Sequence, residues 1–368
     1  MTYRPGQENG PRIKVAFVLQ DLKYGGTQRQ TLELVKGLDK SRFRAELWTL
    51  AQGEDLVPLA REWGVEPVRL GNRPFADPLA LARFWRAIRT RGADLLVLLT
   101  VVPNIWGRVL GRTAAGVGIV GNCRNGAVWR QHERLLWPLA DRLIANSVAV
   151  GNFVTENYSI SPDRVRVILN GVDSGYFRPA RKPAPGGPTI LSVARMVRDK
   201  DQATLISAFG LLIKRHPKAR LMLVGEGPLK DGIRARAGRE LPRGSFSFPR
   251  TGTDIRAHYH GADLVALSSI RESLPNVILE AMACGLPVVS TLVGGTDELI
   301  EEGRTGFLVR PKDPPAMAEA LEKLVGSPVL RKSFGRAGRK RARERFPLKP
   351  MVEGHQNLFV EVVRKTRP

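Results

Sequence analysis

The chain has 368 residues, 43% hydrophobic and 25% charged, an ordinary globular composition that excludes a disordered or collagen-like polymer. That length predicts two domains, each able to bury its own core, and two cysteines (Cys123 and Cys284) exclude a disulfide scaffold. Lys and Arg number 58 against 35 Asp and Glu, a formal charge of +23, with an excess of nine in residues 1–180 and fourteen in 181–368. This is no basic tail; such a field attracts phosphorylated ligands, anionic lipid or nucleic acid and says nothing about fold.

Residues 1–14 are polar and lead into Val15–Leu19, too short for a secretory h-region and read as a first buried strand. Gly25-Gly26 then opens a helical pattern at Thr27–Leu38. Between Asp77 and Arg91, Leu81, Phe84, Trp85 and Ile88 share one arc of a helix, with Arg83, Arg86 and Arg89 opposite. A surface helix packed by its apolar side and an interfacial helix leaning on anionic lipid both fit this pattern. The near-continuous apolar run Leu95–Val102 spans eight residues against the roughly 20 of a membrane span, so a soluble, cytoplasmic protein is expected. Leu95–Val101, Gly118–Gly121 and Arg142–Ala145 read as further buried strands.

Ser174–Pro188 holds four prolines and three glycines and cannot sustain regular structure, which predicts a linker at 176–188. Beyond it Thr189–Ala194, Arg220–Val224, Asp263–Leu267 and Pro287–Thr291 repeat the strand theme. Short apolar strands alternating with helices predict an α/β chain of two Rossmann-like, doubly wound domains, facing across a cleft at the carboxyl ends of their strands. The predicted domains are 12–175 and 189–335. A basic segment and C-terminal helix, 336–366, are expected to pack back on the first. Arg331–Arg345 carries eight basic residues against Glu344 alone, a second candidate for a lipid surface.

The densest chemistry lies in Arg271–Pro287. Pro275 suits a first helical position and Gly285 the residue past the end, predicting a helix near Pro275–Cys284 with Glu272 in the turn entering it. Amides near Asn276 and Val277 and the helix dipole would favour an anion. Glu280 sits on an otherwise apolar helix. Either it faces solvent, or it needs donors such as sugar or ribose hydroxyls. Gly25-Gly26 is either an ordinary strand–helix turn or a second anion-facing helix start. Arg29, one turn in, would reach phosphate or solvent. Asp199-Lys200-Asp201 has the spelling of a metal-holding Asp-x-Asp motif. The five histidines suggest no metal site, and Cys284 reads as core.

Glu272 and Glu280 within ESLPNVILEAMACGLPVV resemble the Glu-x7-Glu signature of the family-4 (group 1) glycosyltransferases, a large retaining group with the GT-B fold. In order along the chain, Val15–Gly26, Asn146-Ser147, Val167–Asp173, Ser192–Arg195 with Lys200, Leu223–Pro228, Gly294–Ile300 and Gly306–Val309 also resemble the family's motifs. The resemblance runs from about residue 12 to 360. It implies a metal-independent hexosyltransferase that takes sugar from a nucleotide-diphosphate donor to a glycan or lipid-linked acceptor in polysaccharide or glycolipid assembly. No cofactor is implied beyond that donor, nor any nucleic-acid partner; an anionic membrane surface is a further candidate partner. Arg195, Lys200 and Glu272 are then the expected catalytic residues, the two cations neutralising the leaving diphosphate. Gly25, Gly26, Gly225, Glu226, Arg250, Ser273, Leu274, Pro275, Asn276, Val277 and Glu280 are the expected donor contacts.

Three departures from the family pattern stand out. Asn122-Cys123-Arg124-Asn125 lacks the histidine that many relatives carry there, making Asn122 and Arg124 the acceptor-side candidates. Phe248-Pro249-Arg250-Thr251 lacks the usual glycine before the nucleobase, and the loop at Val197–Asp201 lacks one beside its lysine. A sugar-nucleotide 2-epimerase on the same scaffold is the alternative enzyme, and a non-catalytic polyanion binder the alternative outside catalysis.

Overall fold

The computed structural model describes residues 12–124, 131–179, 187–252 and 254–366. It divides into two units, one of residues 1–169 and 349–368, the other of 170–348. The first contains β1 (Ile13–Leu19), α1 (Gly26–Gly37), β2 (Phe43–Thr49), α2 (Val57–Glu62), β3 (Val68–Arg69), α3 (Pro78–Thr90), β4 (Leu95–Leu98), α4 (Val101–Gly111), β5 (Gly118–Cys123), α5 (Gln131–Leu136), β6 (Arg142–Ala145), α6 (Val148–Tyr158) and β7 (Val165–Val167). The second runs through β8 (Thr189–Val193), α7 (Gln202–Ile213), β9 (Arg220–Val224), α8 (Lys230–Glu240), β10 (Phe246–Ser247), α9 (Arg256–His260) and β11 (Leu264–Leu267). It continues with α10 (Asn276–Ala283), β12 (Val288–Thr291), α11 (Thr296–Leu299), β13 (Gly306–Val309), α12 (Pro314–Gly326) and α13 (Pro328–Arg345). The final helix, α14 (Leu348–Thr366), belongs almost wholly to the first unit.

Both sheets are parallel, ordered β3-β2-β1-β4-β5-β6-β7 and β10-β9-β8-β11-β12-β13, the doubly wound architecture of the GT-B fold. Short polar residues set the helix starts. Asp77, Ser147, Asp313 and Ser327 each accept a hydrogen bond from the amide three residues on, opening α3, α6, α12 and α13. Thr100 occupies the N-cap of α4, so β4 stops at Leu98 and Val101 begins a helix instead of ending the strand.

Strand alternation sorts the first unit's core. Ala16 and Val18 cluster with Phe84 and Ile88 of α3. Phe17, on the other face, packs with Phe359 of α14, ring centroids 5.9 Å apart. Right-handed crossovers put α1 on that second face and α3, α4, α5 and α6 on the first.

The unit boundary precedes the predicted linker because the chain already bonds to the second unit at Asn170–Asp173: Asn170 Nδ2 donates to Leu274 O at 3.0 Å and Val172 N to Phe346 O at 2.9 Å. Linker residues 180–186, and Asn125, lie outside the described residues. The predicted return segment also starts later. Residues 336–345 are the second half of α13, and the chain enters the first unit at Lys349.

Much of α13's basic charge is structural. Arg331 Nη1 donates to the Leu324 and Val325 carbonyls, Arg339 to Ala283 O, and Arg341 to Glu298 O and Leu299 O while pairing with Glu301. These guanidiniums satisfy carbonyls at the ends of α12, α10 and α11. The exposed basic cluster expected at Arg331–Arg345 is reduced accordingly.

His355 of α14 is buried in the first unit, its Nδ1 2.8 Å from Met351 O, and burial holds its pKa down at about 4. An unfolded histidine titrates near 6.5, so the folded state is favoured above that pH and loses stability as pH falls towards 4. Urea unfolding of the first unit's transition is expected to weaken by about 2 kcal/mol between pH 7 and 5, and His355→Phe to remove most of that slope. An equally steep slope in the variant contradicts the assignment.

Candidate active site

In doubly wound sheets ligands bind outside the carboxyl ends of the strands, where crossovers diverge. In the second sheet that point lies between β8 and β11. The loops after these two strands carry Lys200 and Glu272, and the side chains meet: Lys200 Nζ lies 2.5 Å from Glu272 Oε1, with 22% and 10% of the side chains exposed. Ser269 Oγ donates to the same oxygen at 2.7 Å. Ser268 Oγ donates to the carbonyls of Lys200 and Asp201 at 3.0 and 2.9 Å, and Ile270 N to Asp199 O at 2.9 Å. The loops are thereby stitched together, so the pair sits in a prebuilt frame.

The Asp-Lys-Asp carboxylates are engaged elsewhere. Asp201, at φ +42°, caps α7 by accepting from Thr204 N and Thr204 Oγ1, and Asp199 lies 3.4 Å from Arg271 Nη2. Among the described residues, no group of three or more His, Cys, Asp or Glu is arranged to hold a metal ion.

Arg195 follows β8 with its side chain exposed and its carbonyl accepting from Gln202 Nε2 at 2.9 Å. Beside it, Gly225 and Gly227 both adopt φ +155°. A Cβ there would stand 1.9 Å from Ala194 O and 2.4 Å from Met196 O. Close backbone packing therefore requires both glycines. Glu226 is bonded by Lys230 Nζ at 2.7 and 2.8 Å. The Arg250 side chain is exposed, and its carbonyl lies 3.1 Å from His258 Nε2.

The helix bearing the signature begins at Asn276, one residue later than expected, because Pro275 is non-helical (ψ 116°) and serves as the N-cap. No side chain caps α10. Its entry is held from outside: Asn170 Nδ2 donates to Leu274 O and to Asn276 Oδ1 (2.7 Å), and Gly295 N to Ser273 O (2.7 Å). Gly294 presses so close that a Cβ would lie 2.1 Å from Glu272 O. Val277, in the first turn, is partly exposed.

Glu280 does not face solvent. It is 7% exposed and accepts from Tyr259 Oη at 2.5 Å. Tyr259 escaped the sequence reading because nothing local marks it; its partner is 21 residues on. Cys284 is buried, and desolvation pushes its thiol up to about 12, which leaves it inert.

In the first unit Gly25 is the extended N-cap (φ −175°) of α1 and Gly26 its first residue, with no side-chain cap. Arg29 does not reach solvent. It is 8% exposed, its Nε 3.3 Å from Glu33 Oε1. Asn122 and Arg124 do come together at the end of β5: Arg124 Nε donates to Asn122 Oδ1 at 3.1 Å, and Asn122 N to Asn104 Oδ1 at 3.2 Å. Desolvation lowers the Arg124 guanidinium to about 10.

Tyr259→Phe deletes a hydrogen bond to a buried carboxylate and is expected to cost about 1.5–3 kcal/mol in urea unfolding; a loss below about 0.5 kcal/mol would show that Glu280 does not depend on it.

Two family models match the chain, Glycosyltransferase Family 4 over residues 24–176 and Glycosyl transferases group 1 over residues 176–341. The chain is 28% identical over 336 residues to a glycogen synthase of Mycobacterium tuberculosis, covering 87% of this chain and 77% of that protein. It is 29% identical over 397 residues to a D-inositol 3-phosphate glycosyltransferase of Salinispora tropica, covering 93% and 82%. Among solved structures, Anabaena HepE in complex with UDP and glucose has a TM-score of 0.84 at 21% identity, covering 95% of this chain and all of that one (100%). Sucrose-phosphate synthase from Thermosynechococcus elongatus has a TM-score of 0.79 at 20% identity, covering 95% and 99%. With consecutive matches spanning both units and the parallel sheets of the GT-B fold, the chain belongs to the group 1, family-4 glycosyltransferases.

Proposed function

We propose that this glycosyltransferase is a metal-independent, retaining hexosyltransferase that moves sugar from a nucleotide-diphosphate donor to a glycan or lipid-linked acceptor in polysaccharide or glycolipid assembly. The observation that carries the reading is Lys200 held against Glu272 where the second sheet's crossovers diverge. The solved HepE complexes with UDP and UDP-glucose support the donor class by likeness of fold.

In this reading the bond between the anomeric carbon and the diphosphate oxygen breaks while the acceptor hydroxyl adds from the same face. Its proton passes to the departing diphosphate. Lys200, with its compact charge, and Arg195, with its forked guanidinium, offset the negative charge growing on that diphosphate. Glu272 orients sugar hydroxyls once the phosphate takes over Lys200, and Glu280, fixed by Tyr259, meets the ribose. Backbone amides of Ser273–Val277, with the loop of Gly225 and Glu226 and with Arg250, complete the donor contacts. Gly25 and Gly26 supply an anion-facing helix start in the first unit. Asn122 and Arg124 recognise the acceptor.

Lys200→Ala is expected to lower turnover by about 100-fold or more while the protein still folds, with a lowered melting temperature because Glu272 loses its partner; near-normal turnover contradicts the role. Uridine, guanosine and adenosine diphosphates compared by thermal shift identify the donor base, since saturation at 100 Kd stabilises by about 2.7 kcal/mol. No shift with any of them would overturn the donor reading.

A further inference from the structure

One face of the first unit combines exposed apolar and basic side chains. Helices α3 and α4 lie side by side, Trp85 Nε1 donating to Thr113 Oγ1 just past α4 at 3.0 Å. Phe84 and Ile88 enter the core as the periodicity requires, but Trp85 does not; it is 39% exposed, and Leu79 is 56% exposed. On α4, Trp106 and Val109 are 42% and 38% exposed. Arg83, Arg86 and Arg89 are exposed on α3, and the Arg89 guanidinium stacks 4.8 Å from the Trp85 ring centre. Neither helix contains an Asp or Glu.

Exposed tryptophans beside arginines suit the boundary between lipid headgroups and acyl chains, where a ring buries its apolar body and a guanidinium keeps to the phosphates. Arg83 Nη1 donates to Leu70 O at 3.4 Å, but among the described residues none of the three arginines has an acidic partner; a second protein surface would need to supply acidic groups for them, a need that a bilayer of anionic lipid meets everywhere. The exposed part of α13 is basic as well, yet Lys332, Arg336 and Lys340 have no aromatic among them.

The geometry points to the α3–α4 face as a docking surface for an anionic lipid bilayer, with Trp85, Trp106 and Val109 entering the headgroup boundary and Arg83, Arg86 and Arg89 pairing with lipid phosphate. This rests on the proposed lipid-linked acceptor and names the surface that brings the enzyme to it.

The test is flotation of the full chain with phosphatidylcholine vesicles and with phosphatidylglycerol-rich vesicles. Wild type is expected to bind only the anionic vesicles. Reversing Arg83, Arg86 and Arg89 to Glu lowers partition by about 100-fold or more, and Trp106→Ser with Val109→Ser by about tenfold. Reversing Lys332, Arg336 and Lys340 on α13 changes net charge equally and leaves partition within about threefold. Equal binding to both vesicles, or equal loss from the α13 reversal, overturns the proposal. So does a dimer in light scattering that Trp106→Ser with Val109→Ser dissociates. Nucleoside-diphosphate thermal shifts on the same samples keep the transferase reading separately testable: an intact shift without vesicle binding rejects this surface alone.

Discussion

A lysine and a glutamate in contact at the carboxyl edge of a parallel sheet organise the second unit's chemistry. Lys200 and Glu272 come from loops 72 positions apart, and each removes from the other the cost of a partly buried, unpaired charge. Such a pair needs rigid support, since two loose loops would lose side-chain entropy to form it. The support is visible in Ser268, which bonds one loop to the other, in Ser269, which bonds Glu272 within its own loop, and in Gly294, whose missing side chain lets the next loop press on Glu272. In the proposed function an arriving diphosphate would offer the lysine more charge than the carboxylate does, and the pair would be a site whose cation is oriented before its anion arrives.

The surrounding residues repeat that logic at lower charge. Asn170 reaches the entry of α10 and holds the strand-to-helix turn that bears the signature, while Tyr259 donates to the buried Glu280 carboxylate. Arg331, Arg339 and Arg341 of α13 bond carbonyls at three helix ends in the same unit. Part of the chain's large positive charge is thus spent internally, and a count of basic residues overstates the cationic surface. The first unit divides its arginines in the same way: Arg29 turns in to Glu33, whereas Arg83, Arg86 and Arg89 remain outside.

Features carried by local spacing could be read directly from the chain. The parallel α/β class follows from short apolar strands between helices, and α10 follows from Pro275 and Gly285, although Pro275 proved to be the cap. Lys200 and Glu272 stand in recognisable motifs, but their contact is a tertiary fact that no spacing encodes. Tyr259 was invisible for the same reason. Trp85 was assigned to the buried arc of α3 because a helical wheel treats every apolar residue alike, while the neighbouring helix leaves its ring half covered and bonded to Thr113. The division between compact units falls a few residues before the predicted linker, because proline and glycine mark where regular structure ends. The division between units depends instead on which partners Asn170 and Val172 choose.

The most direct examination of the account is a crystal structure of the full chain with a nucleoside diphosphate bound. The account predicts a terminal phosphate oxygen within hydrogen-bond distance of Lys200 Nζ, Arg195 turned onto the same diphosphate, and Glu272 released from the lysine or sharing it. A diphosphate bound elsewhere, with Lys200 still held by Glu272 alone, would contradict it.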